Sequence, residues 1–177
     1  MASHGGIIGV LVAFVVWGRK HKIPVMHLAD LASVGGTAGL FFGRVANFIN
    51  GELWGKQIDN QAQAPWWSVK YPSEITEVWT HNAEQFGEKL AALEQLRTTI
   101  VSGNDTFYQQ IVTEAYAGNT TVTETIAPVL TAWYPSQLFQ AISDGPLLLG
   151  ALILVWLVPR KPGVVSGWFL IVYGLLR

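Results

Sequence analysis

The sequence predicts an all-α integral membrane protein, a multi-pass transmembrane helix bundle with one extracytoplasmic insert. Three observations predict it. Half of the 177 residues are apolar and only 13% are charged, against about 25% charged in an average soluble domain. Four apolar stretches carry almost no charge, and between the second and third lies a segment of quite different, acidic composition. Eight tryptophans suit a chain that meets the boundary between lipid and water. Zero cysteines exclude a disulfide scaffold, a thiolate metal site and a thiol nucleophile of the protein's own. A net charge of −1 leaves no basic field for nucleic acid.

The first stretch, 5–18, is charge-free and is followed by Arg19-Lys20-His21-Lys22. Those positive charges come after the apolar run, the reverse of a signal peptide. The second, 27–49, is interrupted mainly by His27, Asp30, Arg44 and Asn47, and Asp30 is placed to cap that helix. The third, 136–158, contains Asp144 as its one charge and ends at Pro159-Arg160-Lys161-Pro162. The fourth, 163–177, is charge-free up to Arg177. The second and third reach the roughly 20 residues a spanning helix needs, whereas the first and fourth look cut short. Together they read as one membrane domain, 1–177, with helices at about 5–18, 27–49, 136–158 and 163–177.

The insert, 56–134, holds four basic and nine acidic residues. Leu90, Leu93, Leu96 and Ile100 recur at helical spacing and predict an amphipathic helix over 82–101. The run 129–134 before Pro135 suits an extended segment. The loops Arg19–Lys22 and Arg160–Lys161 hold five of the eleven basic residues, which predicts that both are cytoplasmic. The four helices then alternate without conflict, and the acidic insert falls outside.

This orientation places the unusual polar residues at one depth. His4 opens the first helix; Arg44, Asn47, Asn50 and Glu52 close the second; Ser136 and Gln137 open the third; Tyr173 and Arg177 close the fourth. All reach the outer leaflet, and ionisable residues inside a membrane are functional candidates because their burial is costly. Taken singly each has an ordinary reading. Arg44 could pair with Glu52, Arg177 could snorkel to headgroups, Tyr173 could sit in an aromatic belt, and Asp144 suits a structural hydrogen bond. Their co-location favours function. Arg44 and Asn47 are three apart and Tyr173 and Arg177 four apart, so each pair shares a helix face. Two guanidinium groups suit a phosphate, held as a bound lipid headgroup or as it leaves in a reaction, and His4 or Glu52 could act as base. Gly35, Gly39 and Gly43, and Gly5 with Gly9, have the four-residue spacing that lets helices approach closely in lipid.

Four strings carry a family resemblance. His4-Gly5-Gly6 is followed by Gly43-Arg44-Val45-Ala46-Asn47-Phe48-Ile49-Asn50-Gly51-Glu52-Leu53-Trp54-Gly55, which resembles the signature of bacterial prolipoprotein diacylglyceryl transferases. Pro135-Ser136-Gln137-Leu138 and the run from Val165-Ser166-Gly167 to Tyr173-Gly174-Leu175-Leu176-Arg177 are similar to that family's later motifs, in the same order.

The resemblance implies a multi-pass enzyme of the bacterial inner membrane with its site at the extracytoplasmic leaflet. It would move the diacylglyceryl group of phosphatidylglycerol onto the lipobox cysteine of a prolipoprotein signal peptide, releasing glycerol phosphate. No metal or organic cofactor is implied, and the partners are membrane lipids and the prolipoprotein. By the same resemblance His4, Arg44 and Arg177 are catalytic: the arginines hold the phosphate and His4 is the candidate base for the thiol. Asn47, Asn50, Glu52, Gly55, Ser136, Gln137 and Tyr173 bind or orient substrate, with Tyr173 supporting Arg177 by hydrogen bonding. The chain departs from the family pattern at Trp133-Tyr134, where Arg-His often stands, and at Phe139-Gln140, where Tyr-Glu is usual. The family pattern also extends further at both ends, so the chain is expected to be truncated there. An inactive lipid-binding module of the same family is the alternative, and an anion transporter ranks below it because the cytoplasmic halves of the helices are apolar.

Overall fold

The computed structural model describes residues 3–98 and 106–177, with the side chains of Ser3, His4 and Thr98 outside the description. It is mostly helical, and its contacts divide it into two compact units, 1–46 with 137–177 and 47–136.

The first unit is apolar. Helix α1 (Ser3–His21) ends where Lys22 turns left-handed (φ 56°) and the Ile23 N–H donates back to the Gly18 carbonyl at 2.9 Å. That six-to-one bond satisfies a carbonyl the helix end would otherwise orphan. A Cβ on Gly18 would stand 2.8 Å from the Ile23 oxygen, so this tight exit requires glycine. Helix α2 follows over Val25–Ile49, its last three residues falling in the second unit.

A second long helix runs over Ser136–Trp156 and consists of α6 (Ser136–Ile142), a widened turn at 143–147 and α7 (Leu148–Trp156). Pro146 explains the widening. It has no N–H to donate and its ring crowds the preceding turn, so the helix changes locally to five-residue bonding. The helix stops at Trp156 rather than continuing to Val158, because the residue before Pro159 is driven away from helical angles.

Helix α8 (Val164–Leu176) completes the unit and packs on α7 around Leu148, Leu152 and Val165. Among the described residues α2 and the Ser136–Trp156 helix are long and apolar enough to cross a membrane, and α8 is a shorter apolar helix. Ile7, Val12, Leu154, Leu170 and Ile171 are exposed, a surface that lipid stabilises and water does not.

One cap in this unit differs from the sequence expectation. Asp30 caps α8 rather than its own helix. The residue before α8 is Gly163, which has no side chain with which to cap, and Asp30 reaches across from α2 instead. Its Oδ2 accepts the Gly163 N–H and its Oδ1 the Ser166 N–H, each at 2.7 Å. These are two of the donors that a helix start leaves orphaned, and the carboxylate also opposes the positive end of the helix dipole. Asp30→Ala is therefore expected to destabilise the protein by about 2 kcal/mol. Thermal unfolding in detergent measures this, and an unchanged midpoint would show that the cap contributes nothing.

The glycine spacing also differs. A Cβ on Gly35, Gly39 or Gly43 would meet nothing within 4 Å, nor would one on Gly5 or Gly9, so among the described residues these glycines seat no helix. Gly145 does so instead, since a Cβ there would lie 2.8 Å from the Phe41 Cβ on α2.

The second unit packs small helices over an apolar core. Helix α3 (Ala83–Leu93) is shorter than the predicted span; it tightens into a 3₁₀ turn at Glu94–Thr98, and residues 99–101 lie outside the described ones. Leu90, Leu93 and Leu96 are buried, as their spacing implies, against Ile75, Trp79 and Ile111. Helix α4 (Phe107–Tyr116) starts with a reciprocal cap between Thr106 and Gln109, and α5 (Thr120–Ile126) is capped by Asn119. Two short antiparallel strands, β1 (Val69–Lys70) and β2 (Ala132–Trp133), pair Val69 with Trp133 and Lys70 with Ala132.

Buried Glu74 ties this unit together. Its carboxylate accepts from Trp79 Nε1 at 2.9 Å, the Thr131 N–H at 3.1 Å, Thr131 Oγ1 at 2.5 Å and, more weakly, Trp133 Nε1 at 3.5 Å. Lys89 donates to the same Thr131 hydroxyl at 3.3 Å while its ammonium lies over the Trp79 ring.

Candidate active site

In the first unit two arginines far apart in sequence meet one buried carboxylate. Arg44 leaves the C-terminal part of α2, and its Nε stands 3.6 Å from Oδ2 of Asp144. Arg177 follows α8, and its Nη1 stands 3.8 Å from the same oxygen. Asp144 is only 1% exposed. The widened turn positions it: Asp144 lies within 143–147, beside the glycine that lets Phe41 of α2 approach.

The geometry leaves binding capacity unused. Charge-assisted N–H···O bonds run at about 2.7–2.9 Å, and both guanidinium groups stand farther from the carboxylate than that. No hydrogen bond reaches Asp144 Oδ2 among the described residues, whereas Oδ1 lies 3.3 Å from Ser143 Oγ. The carboxylate thus holds both cations electrostatically without occupying their donor forks. A second oxyanion can take those forks in bidentate fashion.

Tyr173 meets Arg177 through its ring, not through the hydrogen bond that the resemblance implies. The guanidinium carbon lies 5.9 Å from the Tyr173 ring centre, and that ring stacks on Phe169 at 5.7 Å with an interplanar angle of 6°. The four-residue spacing that puts Tyr173 and Arg177 on one face of α8 thus produces a cation–π contact. Gln137, at the start of the Ser136–Trp156 helix, is buried. Next to Gly145 and Pro146 an apolar cleft of about 220 Å³ is lined by Thr37, Ala38, Phe41, Phe42 and Leu149.

The side chain of His4 is outside the described residues. Asn47, Asn50, Glu52, Gly55 and Ser136 belong to the second unit. There the Glu52 N–H donates to the Asn47 carbonyl at 2.9 Å, closing the turn that ends α2. Gly51 (φ 65°) turns left-handed, and a Cβ on it would lie 2.2 Å from the Tyr116 hydroxyl. Gly55 (φ 86°) is held as closely by Ser136, whose Oγ would stand 2.3 Å from an added Cβ. Two separate sequence motifs are thereby in contact, and only glycine fits at the junction.

Asp144 is the participant that sequence reasoning undervalued. A single charge in an otherwise charge-free apolar run was its signal, but its two partners lie on other helices and no local pattern names them.

The family described as prolipoprotein diacylglyceryl transferase matches residues 1–177. Among similar proteins, each described as a phosphatidylglycerol–prolipoprotein diacylglyceryl transferase, that of Bdellovibrio bacteriovorus is 36% identical over 201 residues, covering 100% of this chain and 54% of the relative. That of Xylella fastidiosa (strain 9a5c) is 32% identical over 182 residues, covering 100% of this chain and 49% of the relative. That of Ruegeria pomeroyi is 34% identical over 182 residues, covering 100% and 44%. The chain spans about half the length of the curated relatives it matches.

Proposed function

The chain belongs to the prolipoprotein diacylglyceryl transferase family, and from that premise we propose that it transfers the diacylglyceryl group of phosphatidylglycerol to the lipobox cysteine of a prolipoprotein. It does so as a multi-pass protein of the bacterial inner membrane, at the extracytoplasmic leaflet. The observation that carries this reading is the convergence of Arg44 and Arg177 on Asp144, with donor forks to spare. The apolar cleft beside Gly145 and Pro146 suits an acyl chain of the same lipid.

In this reading the substrate sulfur forms a bond to the terminal glyceryl carbon of the lipid. The bond from that carbon to the phosphate oxygen breaks, and its electron pair leaves with glycerol phosphate. The thiol proton passes to a base, for which His4 is the candidate. An ordinary thiol has a pKa near about 8.5, so a base beside it raises the thiolate fraction at neutral pH. Negative charge grows on the phosphate as the bond breaks, and Arg44 and Arg177 stabilise it more strongly in the transition state than in the bound lipid. Asn47, Asn50, Glu52, Gly55, Ser136 and Gln137 orient lipid or peptide, and Tyr173 keeps Arg177 in place.

The protein in its membranes is expected to convert phosphatidylglycerol labelled in the diacylglyceryl group, with a lipobox peptide, to a thioether product. A peptide with serine in place of the lipobox cysteine should stay unlabelled. Absence of thioether product from the cysteine peptide would overturn the transferase reading. A second reading, lipid binding without turnover, is favoured by Phe139-Gln140 and Trp133-Tyr134 at the positions where the family pattern differs; it predicts bound lipid and no product. Orientation is tested separately. A cysteine placed at Gln109 should label only from the extracytoplasmic side, and cytoplasmic labelling would invert the topology.

A further inference from the structure

We propose that Asp144 sets the charge selectivity of the arginine pair, tuning it to a phosphodiester and against a phosphomonoester. The proposal rests on the reading that Arg44 and Arg177 hold the lipid phosphate. Two guanidinium groups share one buried carboxylate oxygen, at 3.6 and 3.8 Å. Their combined charge is therefore +1 rather than +2. A phosphodiester, the linkage in phosphatidylglycerol, carries a single negative charge and neutralises this cradle. A phosphomonoester, the form in which phosphate leaves, has a second ionisation near about pH 6 and approaches two negative charges at pH 7.

Burial makes the difference large. Asp144 is 1% exposed, so its interaction with a neighbouring anion is poorly screened by water and salt. A monoester dianion loses more hydration on entering the forks than the diester does, and repulsion from that carboxylate cancels part of its added attraction to the arginines, so the fully formed dianion is held less well than the diester. Oδ2 accepts no hydrogen bond among the described residues, so its full charge is available both to the arginines and to their ligand. Asp144 thus holds the arginines together for the substrate and weakens their hold on the free dianion once the bond has broken.

The test is binding to the whole protein in detergent, with glycerol phosphate as the monoester probe, glycerophosphoglycerol as the diester probe, and phosphatidylglycerol as the control ligand. For the wild type, the monoester should weaken at least about 10-fold relative to the diester between pH 5 and pH 8, following the second phosphate ionisation. Asp144→Asn should remove this discrimination or reverse it, with the monoester gaining affinity as pH rises. Asp144→Glu, which keeps the charge, should retain it. A structural role for Asp144 would alter both probes alike and would not move their ratio with pH. If the wild type binds phosphatidylglycerol but its diester-to-monoester ratio is flat with pH, or is the same in a folded Asp144→Asn protein, the charge-selectivity role is wrong and the phosphate clamp stands. If the wild type binds neither phosphatidylglycerol nor the diester, the clamp itself is wrong and this inference goes with it.

Discussion

Arg44→Lys is expected to lower diacylglyceryl transfer by at least about 100-fold, the scale of losing one preorganised oxyanion donor from a transition state, while membrane insertion is unaffected. The substitution keeps the positive charge and so keeps the attraction to Asp144. It removes the planar fork, which an ammonium on a flexible stem cannot reproduce. The ion pair at 3.6 Å therefore survives in kind and the phosphate clamp does not. If Arg44 served only to neutralise a buried carboxylate, lysine would rescue it and turnover would stay within a few-fold of wild type. The measurement is product formation from labelled phosphatidylglycerol, with protein in the membrane fraction quantified alongside. A loss confined to lipid KM, with kcat intact, would place Arg44 in uniform binding and not in the transition state.

Glu74→Ala is expected to destabilise the second unit by about 3 kcal/mol. Two indole N–H groups and both donors of Thr131 converge on this carboxylate, and truncation leaves them facing a cavity. Because Trp79 and Trp133 are among the donors, tryptophan fluorescence during urea unfolding reads the change directly. Glu74→Gln removes the charge and keeps the shape; it should cost less, since the amide oxygen can still accept part of the set. Equal unfolding midpoints for wild type and Glu74→Ala would show that solvent replaces these bonds without loss.

The long helices were legible because lipid imposes a length and a composition that the chain displays directly. The second stretch, read as 27–49, is helical over Val25–Ile49, and the fourth, read from 163, is helical over Val164–Leu176. Arg44 and Arg177 both stand toward the C-terminal ends of their apolar stretches, and the structure brings both to one oxygen. The contacts that fix the arrangement were not legible. Asp30 bonds to residues 133 and 136 positions away, and the partner of Arg44 lies on a helix whose sequence shows only one isolated acid. Helical spacing names a face but not what the face meets, as Gly35, Gly39 and Gly43 show by meeting nothing described. The insert was legible in its leucine spacing and in the extended run before Pro135, where β2 lies. Its organiser is Glu74, and neither periodicity nor charge counting marks a carboxylate whose donors are two tryptophans and a threonine.

Helix α8 is pinned at two points by carboxylates from other helices, Asp30 at its first turn and Asp144 beside Arg177. It works as a strut with a set number of residues between them. Adding or deleting one residue between the pins would swing Arg177 by about 100° and shift it by about 1.5 Å, out of reach of Asp144. The chain can tolerate substitutions along this strut far more readily than any change in its residue count.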